Sequence, residues 1–379
     1  MQPLSIDKLS YWEQKTYFSN TDFIVIGAGI VGYSTAIYLR EKHPNASILI
    51  LERGYLPSGA SSKNAGFACF GSPTELYDDL QHIPENQVWD TLEMRWNGLK
   101  RLFSIIAPEK FDYQQNGSWD LIHTDTPQAE LLSADFIHYL NQKGKEITGI
   151  ENIYSEDKNV SNNFGFNHVS TSYFNRLEGQ IDTSQLNKAF YQKTIAQNIN
   201  CLFGVNVNHF QEDSNNILLD TNIGEIKGAH LFICTNGLAS EFFPEKVKPA
   251  RAQVLITEPI PNLALKGTFH YQKGYYYFRN IDNRILLGGG RNLDFNGETT
   301  TEFGLTEHIQ SSLEELLYNT ITPSYKPKIE HRWSGIMGVG DEKKPIIEKI
   351  SNRIAIGVRM GGMGVAIGSQ VGKQLSELF

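Results

Sequence analysis

The chain has 379 residues, 40% of them apolar, and a formal net charge of −8. This length exceeds one ordinary hydrophobic core and predicts roughly two domains. The acidic balance predicts no nucleic-acid partner, and no run approaches the ~20 apolar residues of a membrane helix.

Residues 22–52 have the pattern of a strand, a helix and a second strand. The run "DFIVIGAG" is apolar and ends in glycine, as buried parallel strands do. The next segment, "IVGYSTAIYLREKH", has helical periodicity that Pro44 ends. A second buried strand, "ASILILE", follows, and the Ser-, Gly- and Ala-rich segment 57–71 is predicted to be a loop.

The middle of the chain mixes helices with short strands. The sequence predicts helices over 85–106, over the segment that Asp182 caps, and over 305–320. The predicted strands are "GSWDLIHT", "CLFGVNVNHF", "NILLDTN", "HLFICTNG", "AQVLITEPI", "YYYFRN" and "RILLGGG".

The end of the chain returns to buried elements, the strand "RIAIGV" and the helix "GGMGVAIGSQVGKQLSELF". We expect this strand to join the first sheet. The chain then divides into a discontinuous dinucleotide-type domain over 18–90, 165–245 and 331–379, and a second domain over 91–164 and 246–330.

The cysteines and histidines indicate the compartment and argue against a metal. Cys69, Cys201 and Cys234 lie far apart, with no CxxC pair. The first residues also lack the basic-then-apolar order of a signal peptide, so we expect reduced thiols and a cytoplasmic location. The ten histidines show no HxH or HExxH spacing, so the sequence predicts no metal site.

The segment "GAGIVG" places Gly27, Gly29 and Gly32 in a GxGxxG pattern between the first strand and the first helix. The first glycine permits a tight turn, the second lets the backbone approach a pyrophosphate, and the third lets helix and strand pack closely. Glu52 ends the second strand and stands where an acid binds the ribose hydroxyls. A glycine-rich turn without a ligand is the alternative, but strand, helix and acid together favour a dinucleotide.

The segment after Glu52 helps to distinguish an FAD site from an NAD site. A nicotinamide-dependent enzyme would continue into another βα unit, whereas "ERGYLPSGASSKNAGFACFGS" is a loop of small and hydroxylated residues. Such a loop suits a flavin, whose ribityl chain and ring need close backbone and hydroxyl groups. The sequence therefore favours FAD over NAD.

At this point the chain resembles the D-amino-acid oxidase superfamily of FAD-dependent oxidoreductases, which includes glycine, sarcosine and γ-glutamylputrescine oxidases. "SYWE", "GASSKNAG" and the C-terminal glycine stretch are most similar to the γ-glutamylputrescine oxidase branch. The resemblance implies an α/β plus α+β fold, in which a Rossmann-like FAD-binding domain is interleaved with an antiparallel-sheet substrate domain.

The resemblance also implies which residues bind FAD. They form the pyrophosphate loop and helix start, the ribose acid and its neighbour, the flavin loop, an adenine contact, a strand end and the C-terminal stretch. They are Gly27, Gly29, Ile30, Val31, Gly32, Glu52, Arg53, Ser61, Ser62, Lys63, Asn64, Ala65, Gly66, Val207, Thr235, Gly237, Met360, Gly361, Gly362, Met363, Gly364 and Val365.

Three positions depart from relatives in the superfamily. Met337 replaces a carboxylate-binding arginine of glycine oxidase, and Ala366 replaces a carboxylate-binding lysine of sarcosine oxidase. Leu286 stands where sarcosine oxidase has a lysine that activates oxygen. The covalent-attachment cysteine of the family is also missing, so we expect non-covalent FAD, with neither carboxylate recognition nor oxygen reactivity assured.

Substrate contacts are predicted at Tyr275, Tyr277 and Arg359. Strand alternation puts the two tyrosines on one face together with Arg279, although an ordinary packed aromatic strand is the alternative, and a solvent-exposed strand end is the favoured interpretation of Arg279. Arg359 follows a buried strand and needs an anion or solvent. Substrate carboxylate, flavin and a nearby acid all remain open as its partner.

The resemblance implies oxidation of a C–N bond in a small amine or amino acid to an imine, with hydride transfer to flavin N5. The last helix would stabilise negative charge on the flavin with its N-terminus. The electron acceptor is oxygen or an unknown carrier. The alternatives are a flavin dehydrogenase with a non-oxygen acceptor, oxidation of a 2-hydroxy acid, and a flavin-binding protein without turnover.

Overall fold

The computed structural model describes residues 5–19, 21–127 and 132–379. Its helices, α1 to α10 in chain order, are Tyr11–Tyr17, Ile30–Lys42, Ala60–Lys63, Pro73–His82, Glu85–Ile105, Ala134–Thr148, Val160–Phe164, Thr183–Ala196, Glu307–Leu316 and Gly364–Ser376. Its strands, β1 to β18, are Thr21–Ile26, Ile48–Glu52, Phe67–Ala68, Ser118–His123, Tyr154–Asp157, Val169–Asn175, Gly179–Gln180, Asn200–Phe203, Val207–Glu212, Ile217–Thr221, Gly224–Ile233, Lys248–Thr257, Thr268–Tyr271, Tyr276–Ile281, Arg284–Gly289, Ile329–Val339, Ile346–Lys349 and Ile354–Val358.

The first sheet has the order β17-β18-β11-β1-β2-β8, with β10 and β9 attached to β11. Its strands β18, β11, β1, β2 and β8 run parallel. Both faces are buried, because Phe23 and Val25 of β1 pack into one apolar cluster while Ile24 and Ile26 pack into another. This explains the uninterrupted apolar run of the sequence. The pairing of β18 with β11 confirms that the last strand joins the first sheet.

Helices α2, α5 and α10 cover one face of the first sheet, and glycines bring them together. A Cβ at Gly98 of α5 would lie 2.0 Å from the backbone oxygen of Ala366 in α10. A Cβ at Gly372 of α10 would lie 2.9 Å from the backbone nitrogen of Thr35 in α2. The last helix is therefore held against the first helix of the βαβ unit.

The second sheet has the order β16-β12-β15-β14-β13-β4-β6-β5 and is antiparallel except for the β13–β4 pair. Its core is aromatic, and the rings of Phe269 and Phe278 stack with centroids 4.9 Å apart. Helix α9 packs on the same cluster through Ile309 and Leu313.

Sheet membership differs from the expected domain boundaries in two segments. Strands β6 and β16 belong to the second sheet, although they fall within the expected 165–245 and 331–379 segments of the dinucleotide domain. Strand β16 pairs along β12, and β6 pairs with β4 and β5. The sequence analysis predicted neither strand, and a strand pattern would in any case not tell which sheet a strand joins.

The other predicted elements can be compared directly. The predicted helix over 85–106 is observed as α5, and the Asp182 side chain accepts hydrogen bonds from the backbone of Ser184 and Gln185 at the start of α8. No helix in the described ranges is both long and apolar enough to cross a bilayer.

Candidate functional site

A cavity of about 670 Å³ opens where β1, β2 and β11 end and reaches the face of the second sheet. Ile26, Leu51 and Cys234 mark these strand ends in its wall, while Val254 and Tyr277 belong to the second sheet. In open parallel sheets, ligands bind outside the carboxyl ends of the strands. The topology therefore points to this cavity as the functional site.

The turn after β1 leaves room for a ligand because its glycines are packed against backbone. Gly27 has a φ of +103°, and a Cβ there would lie 3.0 Å from the Cys234 oxygen. A Cβ at Gly32 would lie 1.9 Å from the oxygen of Gly27. Gly29 faces the cavity and is followed at once by α2, so the positive N-terminal end of this helix lies at the cavity wall.

Glu52 anchors the loops on either side of the cavity. The residue is buried, and its carboxylate accepts hydrogen bonds from the backbone of Ala28 at 3.1 Å and of Gly54 at 2.9 Å. The Ser58 hydroxyl donates a third bond at 3.1 Å. Glu52 therefore fixes the position of the glycine turn relative to the loop that follows β2.

The segment "GASSKNAG", predicted to be the flavin loop, contains the one-turn helix α3, which is hydrogen-bonded to the start of α2. The Ser61 hydroxyl accepts a hydrogen bond from the Ile30 backbone at 3.0 Å. Ser62 turns inward and donates to the oxygen of Pro57. Asn64 accepts from the Gly66 backbone at 2.8 Å. The loop is thus a bonded unit with its main chain along the cavity.

The C-terminal glycine stretch ends β18 and begins α10. Gly361 and Gly362 have φ values of +57° and +85°, which favour glycine. Met363 is the N-cap residue and makes no side-chain cap, so the first N–H groups of α10 have no side-chain acceptor from it. Gly364 and Val365 line the cavity, which gives the site a second positive helix end.

Most of the predicted cofactor residues lie in the cavity wall. Four are outside it: Gly32 and Gly237 pack against backbone, Gly66 packs against Ile181, and Ser62 bonds within its own loop. Those in the wall are Gly27, Gly29, Ile30, Val31, Glu52, Arg53, Ser61, Lys63, Asn64, Ala65, Val207, Thr235, Met360, Gly361, Gly362, Met363, Gly364 and Val365.

The end of the cavity near the second sheet is lined by aromatic and charged side chains. Tyr275 and Tyr277 both line it, and Tyr275 makes an edge contact with Phe295. Burial raises the pKa of Tyr277 to about 12. Its phenol therefore stays protonated at neutral pH and offers the site a hydrogen-bond donor.

Two arginines are placed differently from their sequence interpretations. Arg359 lies outside the cavity wall, and its guanidinium donates to the Lys344 oxygen at 3.0 Å and pairs with Glu342 at 3.4 Å. Its backbone is left-handed, with a φ of +66°. Of the three partners that the sequence left open, Arg359 therefore has the nearby acid, and the predicted substrate contact is not seen. Arg279 is 3% exposed, so it is not a solvent-exposed strand end.

Arg291 is a cavity residue that the sequence analysis missed. It follows β15, lines the cavity and stacks its guanidinium 4.9 Å above the Phe295 ring. Its Nε is buried without a hydrogen-bond partner among the described residues, and burial lowers its pKa. The acid that opposes this lowering, Glu298, is held by Arg251 through two hydrogen bonds of 2.8 and 2.9 Å.

A charged network stands at the edge of the cavity. Glu75 pairs with the buried Arg95 at 3.2 Å and with Lys343 at 3.1 Å, and Lys343 also pairs with Asp79 at 2.6 Å. Although burial opposes it, the two cations hold the pKa of Glu75 at about 2. Glu75 therefore stays ionised and is already compensated within the protein.

Comparison with known proteins identifies the family. The model of the family described as FAD dependent oxidoreductase matches residues 22–378. The chain belongs to this family of FAD-dependent oxidoreductases. It is 20% identical to the probable oxidoreductase OrdL of Haemophilus influenzae, over 96% of this chain and 83% of that protein. It is 18% identical to sarcosine oxidase subunit beta of Rhizobium meliloti, over 89% and 79% respectively.

Solved structures agree on the fold. Glycine oxidase from Bacillus cereus superposes with a TM-score of 0.75 at 15% identity, covering 95% of this chain and 94% of the other. L-proline dehydrogenase from P. horikoshii superposes with a TM-score of 0.73 at 18% identity, covering 95% and 93%. These likenesses confirm the predicted architecture.

The cavity of this FAD-dependent oxidoreductase meets the needs of its family's cofactor. Two helix starts and a glycine turn offer N–H groups to anionic or polar atoms. The Thr235 hydroxyl lines the cavity and is buried without a hydrogen-bond partner among the described residues. A buried polar atom of this kind calls for a ligand, so the residues present fit FAD.

Proposed function

We propose that the protein oxidises the C–N bond of a small amino acid to an imine, which water then hydrolyses. Arg291 is the observation that carries this proposal, because it is a cation in the cavity wall and the acid that acts on it, Glu298, is already paired with Arg251. A substrate carboxylate would supply the missing anion. The amine-oxidising relatives and the family membership support the reaction class.

We further propose that FAD binds non-covalently along the cavity. The pyrophosphate would lie at the start of α2, the ribose near Glu52, and the flavin between the loop 57–66 and the start of α10. When bound, FAD supplies a two-electron acceptor for a hydride. On this proposal the first sheet carries the cofactor and the second sheet carries the substrate.

The side chains of this chain then have separate tasks. Arg291 would hold the substrate carboxylate, and Phe295 would keep the guanidinium flat against its ring. Tyr277 would offer a protonated phenol to the polar part of the substrate. The start of α10 would stabilise negative charge that develops on the ring system beside it. Positioning and electrostatics supply the catalysis.

Anaerobic mixing tests the proposal. The purified protein should be yellow, and acid should release its flavin. A panel of small amino acids and the corresponding amines without a carboxylate is then added without oxygen, and loss of the flavin absorption is followed. We expect an amino acid to bleach the flavin and to yield ammonia and a 2-oxo acid. Colourless protein that FAD cannot reconstitute, or a flavin that no compound bleaches, contradicts the proposal.

We propose that the electron acceptor is a carrier other than oxygen, on the basis of Leu286 in the second sheet. Leu286 stands where sarcosine oxidase has its oxygen-activating lysine, and it is buried with Ala65 and Val254 in a small apolar cluster. We expect the reduced protein to be reoxidised faster by an artificial quinone than by air-saturated buffer. Equal or faster reoxidation by oxygen contradicts this assignment.

The three cysteines are free thiols, which supports the expected cytoplasmic location.

A further inference from the structure

Three ligand-type side chains that the proposed oxidation does not use meet at the cavity wall. The Cys69 sulfur, a Glu178 carboxylate oxygen and a His270 ring nitrogen all lie within 4.8 Å of one another. The pairing of β3 with β7 brings Cys69 and Glu178 together, because they flank these two short strands. His270 comes from β13 of the second sheet. The cluster therefore lies where the two sheets meet.

Two atoms of this cluster are buried without partners. Glu178 has no exposed surface, and its Oε1 accepts from the backbone of Phe70 at 2.7 Å and of Gly71 at 2.8 Å. Its Oε2 and the Nε2 of His270 have no hydrogen-bond partner among the described residues. Buried polar atoms are rarely left in this state, so an atom that binds both would remove the cost.

The Cys69 thiol is the third member of the cluster. Cys69 is 3% exposed, with Thr268 Oγ1 at 3.5 Å and the Gly179 oxygen at 3.8 Å from its sulfur. The thiolate form of this side chain is the form that binds a metal.

We propose that Cys69, Glu178 and His270 bind a zinc ion. A thiolate, an imidazole and one carboxylate oxygen match the ligand types and the number that zinc takes at sites with an open fourth position. Magnesium and calcium prefer oxygen ligands alone. Cys69 and His270 both line the cavity, so the fourth position faces it. Binding forms the zinc–sulfur bond and releases the thiol proton to solvent, without any change of oxidation state.

The surroundings suit one divalent cation. Asp120 is the register partner of His270 on β4 and is 1% exposed, with Oδ1 unpartnered within the described part of the chain. It adds a second buried acid beside the imidazole. The buried guanidinium of Arg279 lies close enough to Cys69 to interact with it electrostatically. The cluster and its neighbour Asp120 therefore bring two buried carboxyl groups and one thiol to the same place.

Metal titration of the FAD-loaded protein tests the site directly. The protein is dialysed against a chelator, then zinc is added in competition with a chromophoric chelator, and cobalt(II) is added to a second sample. We expect one zinc per chain, and a cobalt difference spectrum with a thiolate charge-transfer band and tetrahedral bands beyond the flavin absorption. Wild-type protein without stoichiometric zinc, or cobalt without a thiolate band, overturns the proposal even if no variant folds.

Matched variants identify the ligands. Cys69→Ser and His270→Asn should each weaken zinc binding at least about a hundredfold, since even indirect partners of ligands cost 10- to 100-fold. Glu178→Gln keeps an oxygen for the Phe70 and Gly71 N–H groups while it removes the charge. The control is Cys201→Ser, whose half-buried thiol lies outside the cluster and should leave zinc affinity unchanged. Equal affinity in Cys69→Ser and Cys201→Ser refutes the ligand assignment. Flavin absorption and melting temperature report folding, and none of these readouts depends on substrate oxidation.

Discussion

The two ends of the cavity differ in whether main-chain or side-chain groups form the wall. At the end beside the first sheet, main-chain groups form most of the wall. They come from the glycine turn after β1, the loop 57–66 and the start of α10. At the second sheet, side chains such as Tyr277 and Arg291 form the wall. Backbone geometry depends on local sequence, whereas side-chain clusters depend on tertiary contacts. Substitutions should therefore act on stability and cofactor at one end, and on substrate choice at the other.

Gly32→Val should give the largest effect. A Cβ at this position would lie 1.9 Å from the Gly27 oxygen, and neither backbone segment can move without separating α2 from β1. We expect a loss of at least about 3 kcal/mol, seen as insoluble or colourless protein. Flavin absorption and thermal melting measure it. Gly59→Ala is the control for melting, since a Cβ there meets nothing within 4 Å. Yellow Gly32→Val protein with an unchanged melting temperature would show that the glycine turn is not rigid.

Glu75→Gln should cost about 3 kcal/mol, because it leaves the buried Arg95 without its carboxylate. Arg95 and Lys343 hold the Glu75 pKa at about 2, below the ordinary 4.5, despite the opposing effect of burial. The stabilisation is therefore complete above pH 4.5 and is lost as the pH falls toward 2. Urea unfolding at several pH values measures it. Glu330→Gln removes a surface partner of Arg284 and should leave the free energy of unfolding nearly unchanged.

The difference between wild type and Glu75→Gln should thus shrink below pH 4.5. A difference that stays constant down to pH 3 would show that the ion pair does not set it. Glu75 lines the cavity, yet we expect its substitution to change the free energy of unfolding rather than substrate choice.

Arg291→Gln should lower kcat/KM for the amino-acid substrate roughly 10- to 100-fold, the value of a charged hydrogen bond of about 1.5–3 kcal/mol. Activity on the matching amine without a carboxylate should change little. Steady-state kinetics with both compounds measures the difference, and Arg284→Gln, on a surface ion pair, is the control. An equal loss on amine and amino acid would remove Arg291 from carboxylate recognition.

The sequence was informative about one end of the cavity and weak about the other. Spacing alone placed the turn at Gly27 and the acid Glu52, since strand, turn and helix are neighbours along the chain. It suggested a ligand contact for Arg359, because the partner Glu342 comes from a loop whose position only the fold fixes. It overlooked Arg291 because a cation after a strand resembles any surface arginine.

The same limit applies to pairing and to metal ligands. The sequence analysis missed β6 and β16, both of which belong to the second sheet. The absence of short ligand spacings predicted no metal site, and that prediction stands against our zinc proposal, whose ligands Cys69, Glu178 and His270 lie far apart in sequence and meet only in the folded chain. Ligands contributed by separate elements leave no local motif to read.

Tyr277→Phe should give the smallest effect and probes the substrate end most finely. Burial raises the Tyr277 pKa to about 12, so the phenol is protonated throughout an assay from pH 7 to 10. Losing one neutral hydrogen bond costs about 0.5–1.5 kcal/mol, which lowers kcat/KM by roughly 2- to 13-fold without altering the shape of the pH profile. Rates across this range, with Tyr191→Phe on the distant helix α8 as control, measure it. A basic limb of the profile that disappears in Tyr277→Phe would instead mean that the phenol ionises during turnover. The second sheet would then supply a proton-transfer group as well as a binding surface.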